Sequence, residues 1–378
     1  MIDSPVLETI LPLATAGEIA VINLESSLQQ SWSRFWHSPQ RPGVAEYIVE
    51  QEQMTLQVLS DAAALDRLDA LVERFARSDA EQIRIALVRA QVASTKHHFS
   101  EARECLQKAE ACGPLPPAAD RLLLSIDQAC GNNLAAELET RQRVAAESGR
   151  LEDLVPLGAL LADLGEFAAS DRVYQQAFRT YQDVSPFALA WVCFQLGVLC
   201  GELMPEPQLS RAEQWYRQAI EYVPAYVKAR VHLSEIYLEH TMIEEAEALL
   251  IPVLASGDPE VDWRLSDVMI AQGKTLEGKS YLESAARGFE ALLDKHLLAF
   301  ADHGAEFYSG SGDDPGRAFE LASVNLANRS TLRAFKQTYE TALCADQLRA
   351  ASDILSAARS RLGSSHAFSL SSLAGRRV

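Results

Sequence analysis

The sequence predicts an all-α protein, a right-handed α-solenoid of about eight helical hairpins with an N-terminal helical cap. Small residues recur at intervals near 34 residues, the length of two short helices and their turns. These positions are Ala102, Ala136, Ser170, Ala212, Ala246, Ala318 and Ala351. Around Ala212, the residues Leu209, Tyr216 and Ala219 lie three before, four after and seven after. Those offsets form one face of an α-helix, so each small residue is predicted to sit in the second helix of a hairpin.

The N-terminal region, residues 1–80, is predicted to be a helical segment that caps the solenoid. Apolar residues at helical spacing indicate two helices within residues 44–80. A cap is needed because the last hairpin of a solenoid would otherwise expose its apolar face. Before them, Trp32, Phe35 and Trp36 lie close together. This aromatic cluster either completes the cap or forms a contact patch for another protein.

The repeats are predicted to fill residues 81–362, followed by a flexible tail over residues 363–378. The interval of 42 between Ser170 and Ala212 implies an insertion of eight residues, and the interval of 72 after Ala246 hides one repeat. Residues 260–298 fit the period poorly. There, Lys279 or Ala285 could occupy the small position, and one long or irregular helix is an alternative. Turns are indicated by glycines and prolines that end helices, namely Gly131, Gly165, Gly273, Pro114, Pro224 and Pro259.

These repeats resemble the tetratricopeptide repeat (TPR) of bacterial-type proteins. The residues that carry the resemblance are Leu233-Ser234…Tyr237…Ala246…Leu250 and Ala212…Tyr216…Ala219…Pro224. The resemblance covers about residues 83–362, and it implies a solenoid whose first helices line a concave face. The second repeat departs from the pattern, with Asn133 and Thr140 at positions where apolar residues are typical.

Composition and charge exclude several classes of protein. The chain has 378 residues, 34 Lys and Arg against 52 Asp and Glu, and a net charge of −18, with 48% apolar residues. Such an acidic protein without a basic patch is not expected to bind nucleic acid. The longest apolar stretch, Val6–Ile22, is interrupted by charges and is not expected to span a membrane. With no secretory signal and no CxxC pair among six cysteines, a cytoplasmic location is expected.

Catalytic, cofactor and metal motifs are not found, so the sequence predicts no enzyme, no cofactor and no metal. Residues 309–316 are rich in glycine but lack the lysine of a phosphate loop. They are interpreted as a turn in which Asp314 caps a helix that Pro315 begins. His303 and Glu306 could share a helix face, but a metal site would need a second pair, and a solvated contact is preferred.

The partner-binding surface follows from the resemblance, which places seven residues of two first helices on the concave face. They are Trp191, Phe194, Val198, Lys228, Val231, Glu235 and Leu238. Apolar rings beside a carboxylate suit a protein or peptide with basic and apolar character. The alternative is that the two rings pack into the adjacent repeat.

The expected function is therefore that of a protein-binding scaffold or adaptor that uses this concave face. A peptide-sensing regulator is one alternative, although residues 1–80 lack a basic recognition helix. An accessory subunit of an enzyme complex is the other, with His303 and Glu306 as its only candidate metal ligands. The sequence indicates no oligomeric state.

Overall fold

The computed structural model describes residues 12–376; residues 1–11 and 377–378, at the ends of the predicted cap and tail, lie outside it. Every regular element within residues 12–376 is helical. The α-helices are α1 Gly17–His37, α2 Val44–Leu59, α3 Ala63–Ala76, α4 Gln82–Thr95, α5 Phe99–Cys112, α6 Pro117–Ala129, α7 Leu134–Ser148, α8 Leu151–Asp163, α9 Phe167–Thr180, α10 Pro186–Val198, α11 Leu209–Tyr222, α12 Val227–Glu239, α13 Ile243–Leu250, α14 Pro259–Ala271, α15 Thr275–Ser309, α16 Pro315–Asn328, α17 Leu332–Cys344, α18 Leu348–Leu362 and α19 His366–Leu370.

Helices α4 to α18 form eight consecutive hairpins, because the long helix α15 contributes to two of them. Its first half packs on α14 and its second half packs on α16. The other hairpins pair α4 with α5, α6 with α7, α8 with α9, α10 with α11, α12 with α13, and α17 with α18. The predicted fold class, an α-helical repeat solenoid, is confirmed.

The turns inside the hairpins repeat one backbone conformation. Gly131, Gly165 and Gly273 all have positive φ, as their predicted turn positions require. His97, Thr241, Asp313 and Asp346 also have positive φ, and each of them lies in the turn of another hairpin. At Gly165 the next amide, Glu166 N–H, donates to Leu161 O at 2.8 Å, which is the long bond of a Schellman motif. Seven of the eight hairpins therefore turn through a left-handed residue.

The eighth hairpin contains the eight-residue insertion. Helix α10 runs on directly into a π-helical turn, Leu199–Leu203, so the helical stretch is longer than the first helices of the neighbouring hairpins. The remaining inserted residues form the linker to α11. Single π-helical turns often carry functional side chains, and this one carries Glu202.

The region 260–298 contains one long helix, as the alternative interpretation allowed. Helix α15 bends at His296, whose φ of −136° and ψ of 49° are not helical. Neither Lys279 nor Ala285 holds the small position. Gly278 does, three residues after the start of α15, and an added Cβ there would lie 2.7 Å from Ile270 Cγ1. The sequence prediction was wrong because this hairpin is two residues shorter than the period.

The second repeat also differs from its predicted register. Helix α7 begins at Leu134, so the buried position three residues later is Glu137 and not Ala136. Ala136 is exposed, and Asn133 is the left-handed residue just before the helix. The carboxylate of Glu137 is buried without a hydrogen-bond partner among the described residues. A charged residue at a core position hid the register of this repeat.

Helices within a hairpin approach closely where a small residue faces a bulky one. An added Cβ on Gly158 would lie 2.6 Å from the ring of Tyr174, and one on Gly197 would lie 2.3 Å from the ring of Tyr216. Ser170 Oγ donates to Gly158 O at 2.8 Å across the same contact. Close packing of α8 on α9 and of α10 on α11 therefore requires a glycine at these two positions.

Ala246→Leu should lower the free energy of unfolding by roughly 1–3 kcal/mol, because the added atoms overpack the contact between α12 and α13. Ala246 is fully buried in the core cluster that contains Leu233 and Leu250. The midpoint of urea denaturation measures the effect. A midpoint equal to that of the parent would contradict this helix register.

The N-terminal helices cap the solenoid with the aromatic cluster. Phe35 is fully buried, and Trp32 stacks on Trp36 with their ring centroids 5.7 Å apart. Trp32 Nε1 donates to the buried carboxylate of Glu52 at 2.7 Å. Trp36 remains half-exposed. The first interpretation of this cluster, as part of the cap, agrees with these contacts for Trp32 and Phe35.

The segment after α18 has more structure than the sequence indicates. Helix α19 lies within the predicted flexible tail, and Phe368 and Leu373 are buried against a core that includes Phe335 and Leu355. Ser365 Oγ accepts from Phe368 N–H and caps α19. Two isolated apolar residues in a serine-rich stretch gave too little periodicity to predict this packing.

The solenoid closes on itself, because the last helices stack on the turns of earlier hairpins. Asn328 Nδ2, at the end of α16, donates to His97 O in the α4–α5 turn at 2.9 Å. The backbone also approaches closely at two further turns. A Cβ added to Gly131 would lie 2.9 Å from Ser330 O, and a Cβ added to Gly165 would lie 2.9 Å from Ala367 N. Three successive turns thus contact the end of α16, the α16–α17 linker and α19.

The N-terminal helices stack on the middle of the chain in the same way. Thr15 N–H donates to Val184 O, just before α10, at 2.8 Å. Lys295 Nζ and His296 Nε2, at the bend of α15, contact the Asp66 carboxylate of α3 at 2.8 and 3.1 Å. The first half of the chain, α1 to α9, therefore forms one layer and the second half, α10 to α19, forms another, with the interior between them.

Candidate functional site

Two of the seven predicted partner-binding residues are buried in the core, and a third, Phe194, is half-buried against it. Val198 is 8% exposed and Val231 is 1% exposed. The ring of Phe194 packs on Tyr226 and His232, with centroid distances of 5.3 Å to each. A role for the half-buried Phe194 in partner binding stays a prediction. The prediction that Val198 and Val231 present a concave binding surface was wrong for these side chains. The reason is that adjacent hairpins stack through them.

The other four residues are half-buried and have neighbours within the chain. Trp191 packs against the core cluster of α8 to α12, and Leu238 packs against the cluster of α12 to α14. Glu235 forms ion pairs with Arg264 and His232. Lys228 is half-buried in the first turn of α12. A role for these four in partner binding stays a prediction.

The interior contains a network of charged residues that begins at the π-helical turn. That turn places Glu202 beside His232, with Oε1 2.9 Å from Nδ1, and Tyr216 OH donates to the same carboxylate at 3.2 Å. Burial alone would lower the pKa of His232, but Glu202 and Glu235 outweigh burial and raise it to about 9. Burial would raise the pKa of Glu202, yet His232 and Arg333 lower it to about 2. The pair is therefore ionised at neutral pH.

The network continues through Arg264 into the loop before α16. The guanidinium of Arg264 pairs with Glu235, lies 3.4 Å from Asp267 and covers the ring of Trp263 at 3.7 Å. Ser311 connects these groups, since it donates to Asp267 at 3.0 Å and accepts from Trp263 Nε1 at 2.8 Å. The loop thus has a structural role beside α14.

The loop ends as the sequence predicts. Asp314 Oδ1 accepts from Arg317 N–H at 2.9 Å, and Pro315 is the first residue of α16. This agrees with the interpretation of residues 309–316 as a capped turn.

His303 pairs with a different carboxylate from the one the sequence suggested. Its Nδ1 lies 2.5 Å from Glu260 Oε1, and no hydrogen bond to Glu306 occurs in the described range. Burial would lower the pKa of His303, but Asp302 and Glu260 raise it to about 9. Within residues 12–376 no group of three or more His, Cys, Asp or Glu side chains has the arrangement of a metal site.

The ion pairs of the interior balance one another. Four bases have an acidic partner, and the pairs are His232–Glu202, Arg264–Glu235, His303–Glu260 and Arg329–Asp302. A side chain that already forms an ion pair attracts a charged ligand only weakly, because the ligand would have to displace the internal partner. The interior is therefore better suited to holding successive hairpins together than to attracting a basic segment.

A cavity of about 490 Å³ opens at the surface between α1, α2 and the start of α10. Its walls are largely apolar and include Leu24, Tyr47, Met54, Val184 and Phe187. Tyr47 and Val184 are 47% and 60% exposed, which is unusual for side chains of this size. Sequence reasoning missed this site, because its walls come from helices that are far apart in the sequence.

Only acidic charges line this cavity. Its two charged residues are Glu50 and Asp183, at opposite walls. Burial, together with the nearby Glu46, raises the pKa of Glu50. A positive charge placed in the cavity would be attracted to both carboxylates and would relieve this repulsion.

Several solved structures are similar to this chain. A tetratricopeptide repeat protein from Parabacteroides merdae is 15% identical with a TM-score of 0.39, over 69% of this chain and 98% of its own. The APC/C hetero-tetramer Cut9–Hcn1 is 13% identical with a TM-score of 0.41, over 88% of this chain and 62% of that one. The C-terminal part of a TPR repeat-containing protein from Cytophaga hutchinsonii is 15% identical with a TM-score of 0.32, over 78% and 97%.

At such low identities these likenesses concern the fold alone, and the chain's own hairpins decide its type. Small residues face bulky ones inside hairpins that recur near every 34 residues. The fold is of the tetratricopeptide type. No protein-family model matches this TPR-type chain, and no curated protein matches it.

One helical stretch of this TPR-type solenoid has the length and apolarity of a membrane span. It is Pro186–Leu203, with a mean hydropathy of 1.5, and 56% of it is buried inside the structure. Val192, Cys193 and Leu196 are fully buried in the largest core cluster. These contacts are typical of a core helix.

Proposed function

We propose that this chain is a protein-binding scaffold that holds a segment of a partner in the cavity between α1, α2 and α10. The observation that supports the proposal most directly is the cavity itself, with exposed Tyr47 and Val184 beside Glu50 and Asp183. An apolar wall next to two carboxylates that form no ion pair with the described residues fits a segment that carries Lys or Arg beside an aromatic or aliphatic residue.

The concave interior is the competing location. Its first helices use Phe194, Val198 and Val231 for packing, and its charged groups are paired with one another. The surface cavity needs no such rearrangement, because its two carboxylates line open space. The regulator and enzyme-subunit alternatives gain no support from His303, which is paired with Glu260.

Tyr47→Ala should weaken binding of a basic, apolar peptide about 10-fold, because a central aromatic contact typically contributes that much. The peptide is first selected from a random 12-residue library on the parent protein, and its affinity is then measured by fluorescence anisotropy. Glu50→Gln with Asp183→Asn should weaken binding mainly at low salt, since it removes electrostatic attraction. Glu244→Gln, an exposed carboxylate on α13, is the matched control and should change little.

Trp191→Ala distinguishes this cavity from the concave interior. If the cavity binds the peptide, a folded Trp191→Ala protein should keep the parent affinity. Loss of binding by Trp191→Ala together with full binding by Tyr47→Ala would contradict the proposed location. Selected peptides without enriched Lys or Arg would contradict the proposed chemistry.

A further inference from the structure

A second cavity lies where the two layers of the solenoid meet. It has a volume of about 280 Å³ and lies between the start of α5, the α6–α7 turn, the end of α16 and α18. The approach of Gly131 to Ser330 and the bond from Asn328 to His97 form its borders. Residues from both halves of the chain therefore line one small polar space.

The lining of this cavity is cationic in a strongly acidic chain. It includes Arg103 and Arg361 together with asparagine and serine side chains, and it includes no carboxylate. The chain as a whole has 52 acidic residues and a negative net charge. The described lining of this cavity, by contrast, has two arginines and no carboxylate. Arg103 forms an ion pair with Asp127, which is not one of the lining residues. Arg361 has no ionic partner among the described residues.

Both guanidinium groups have donors to spare. Within the described chain, Arg103 donates to Asp127 through Nη2, and Arg361 donates through Nη2 to Asn132 Oδ1 at 2.9 Å and to the Gly131 carbonyl at 3.3 Å. The Nε and Nη1 groups of both have no oxygen acceptor among the described residues, and the Cys130 thiol lies beside Arg103. A guanidinium carries five N–H donors, so three on each side chain remain for a ligand.

The start of α5 adds backbone donors to the same space. Phe99 and Ser100, the first two residues of this 14-residue helix, line the cavity, and the helix has no side-chain cap. The first amides of a helix lack intrahelical acceptors, and the helix dipole favours negative charge at this end. The amide of Asn132 adds another possible donor, since its Oδ1 already accepts from Arg361.

We propose that this cavity binds a small phosphate-bearing anion, either free phosphate or the phosphoryl group of a small phosphomonoester. Two guanidinium groups and uncapped helix amides converge on a volume that holds a phosphate with little else. Because Arg103 belongs to the first layer and Arg361 to the second, the bound anion contacts both layers and neutralises Arg361, while Arg103 keeps its pair with Asp127. Binding therefore stabilises the closed solenoid.

Thermal unfolding of the full chain in inorganic phosphate tests the proposal, with chloride at equal ionic strength as the reference. Phosphate should raise the melting temperature of the parent, because a ligand that binds only the folded state stabilises it. Titration calorimetry with phosphate and with methyl phosphate gives the affinities. Binding of either supports the proposal, and their ratio distinguishes the free ion from the phosphomonoester.

Arg361→Gln should lower the phosphate affinity roughly 10-fold, as expected for loss of a charge-assisted contact. Arg349→Gln removes the same charge from an exposed position of the same helix and should leave the affinity unchanged. The phosphate-induced rise in melting temperature is measured for each variant relative to the same variant in chloride. A change in the basal stability of a variant therefore does not affect the comparison. An equal phosphate effect in the two variants, no phosphate effect in the parent, or a larger effect of acetate than of phosphate would overturn the proposal.

Discussion

Gly197→Val is expected to lower the free energy of unfolding by about 3 kcal/mol or more. An added Cβ would lie 2.3, 2.5 and 2.8 Å from three ring atoms of Tyr216. Tyr216 is 1% exposed, and its hydroxyl donates to Glu202, so the ring has no free space into which it can turn. The clash would have to separate α10 from α11. Denaturation by urea, followed by circular dichroism, measures the loss.

A second substitution on the facing helix tests this explanation. The hairpin of α12 and α13 has Ser234 and Leu250 at the corresponding positions, so a smaller partner accepts a Cβ. In a double-mutant cycle, Tyr216→Leu should recover at least about 1 kcal/mol of the loss caused by Gly197→Val. Purely additive losses would mean that the two side chains do not meet.

Glu137→Gln is expected to raise the free energy of unfolding by roughly 1–3 kcal/mol at pH 8. Glu137 is 4% exposed, and both carboxylate oxygens lack a hydrogen-bond partner in the described chain. Burial and the nearby Asp127 raise its pKa to about 7. The folded protein must therefore hold an unfavourable charge at pH 8, and glutamine removes that charge without changing the size of the side chain.

The pH dependence of this gain has a definite direction. The folded pKa of Glu137 lies above the unfolded value, so the folded state binds the proton more tightly. The stabilisation that comes from this tighter proton binding is complete below about pH 4.5 and is lost as the pH rises through about 7. The stability of Glu137→Gln relative to the parent should therefore shrink between pH 8 and pH 5. Glu139→Gln, exposed on the same helix, is the control and should show no such trend.

The repeated elements could be predicted from the sequence because they depend on local signals. The helix face around Ala212 and the turn at Gly165 each involve residues within one hairpin. The prediction failed where one residue hid the pattern, as Glu137 did, or where the period changed, as at Gly278. In both repeats the buried position is found by counting three residues from the first residue of the helix, and not by looking for a small residue at the expected interval.

The candidate sites could not be predicted, because they form between residues far apart in the sequence. Tyr47 and Val184 line one cavity, and Arg103 and Arg361 line another, only after the layers have stacked. The stacking itself depends on backbone contacts such as Ser330 O against Gly131, which carry no residue pattern. The assignment of Val198 and Val231 to an open concave groove failed for a local reason, because adjacent hairpins pack through these two side chains.

The stacking of the two layers has a consequence for how the chain folds. An open solenoid has contacts only between neighbouring repeats, so it can unravel from its ends one repeat at a time. Here the bonds from Asn328 to His97 and from Lys295 to Asp66 join residues more than 200 positions apart. Their formation must await the ordering of the intervening chain, which slows folding. Once made, they tie the terminal hairpins into a single cooperative unit, so that the ends no longer fray independently.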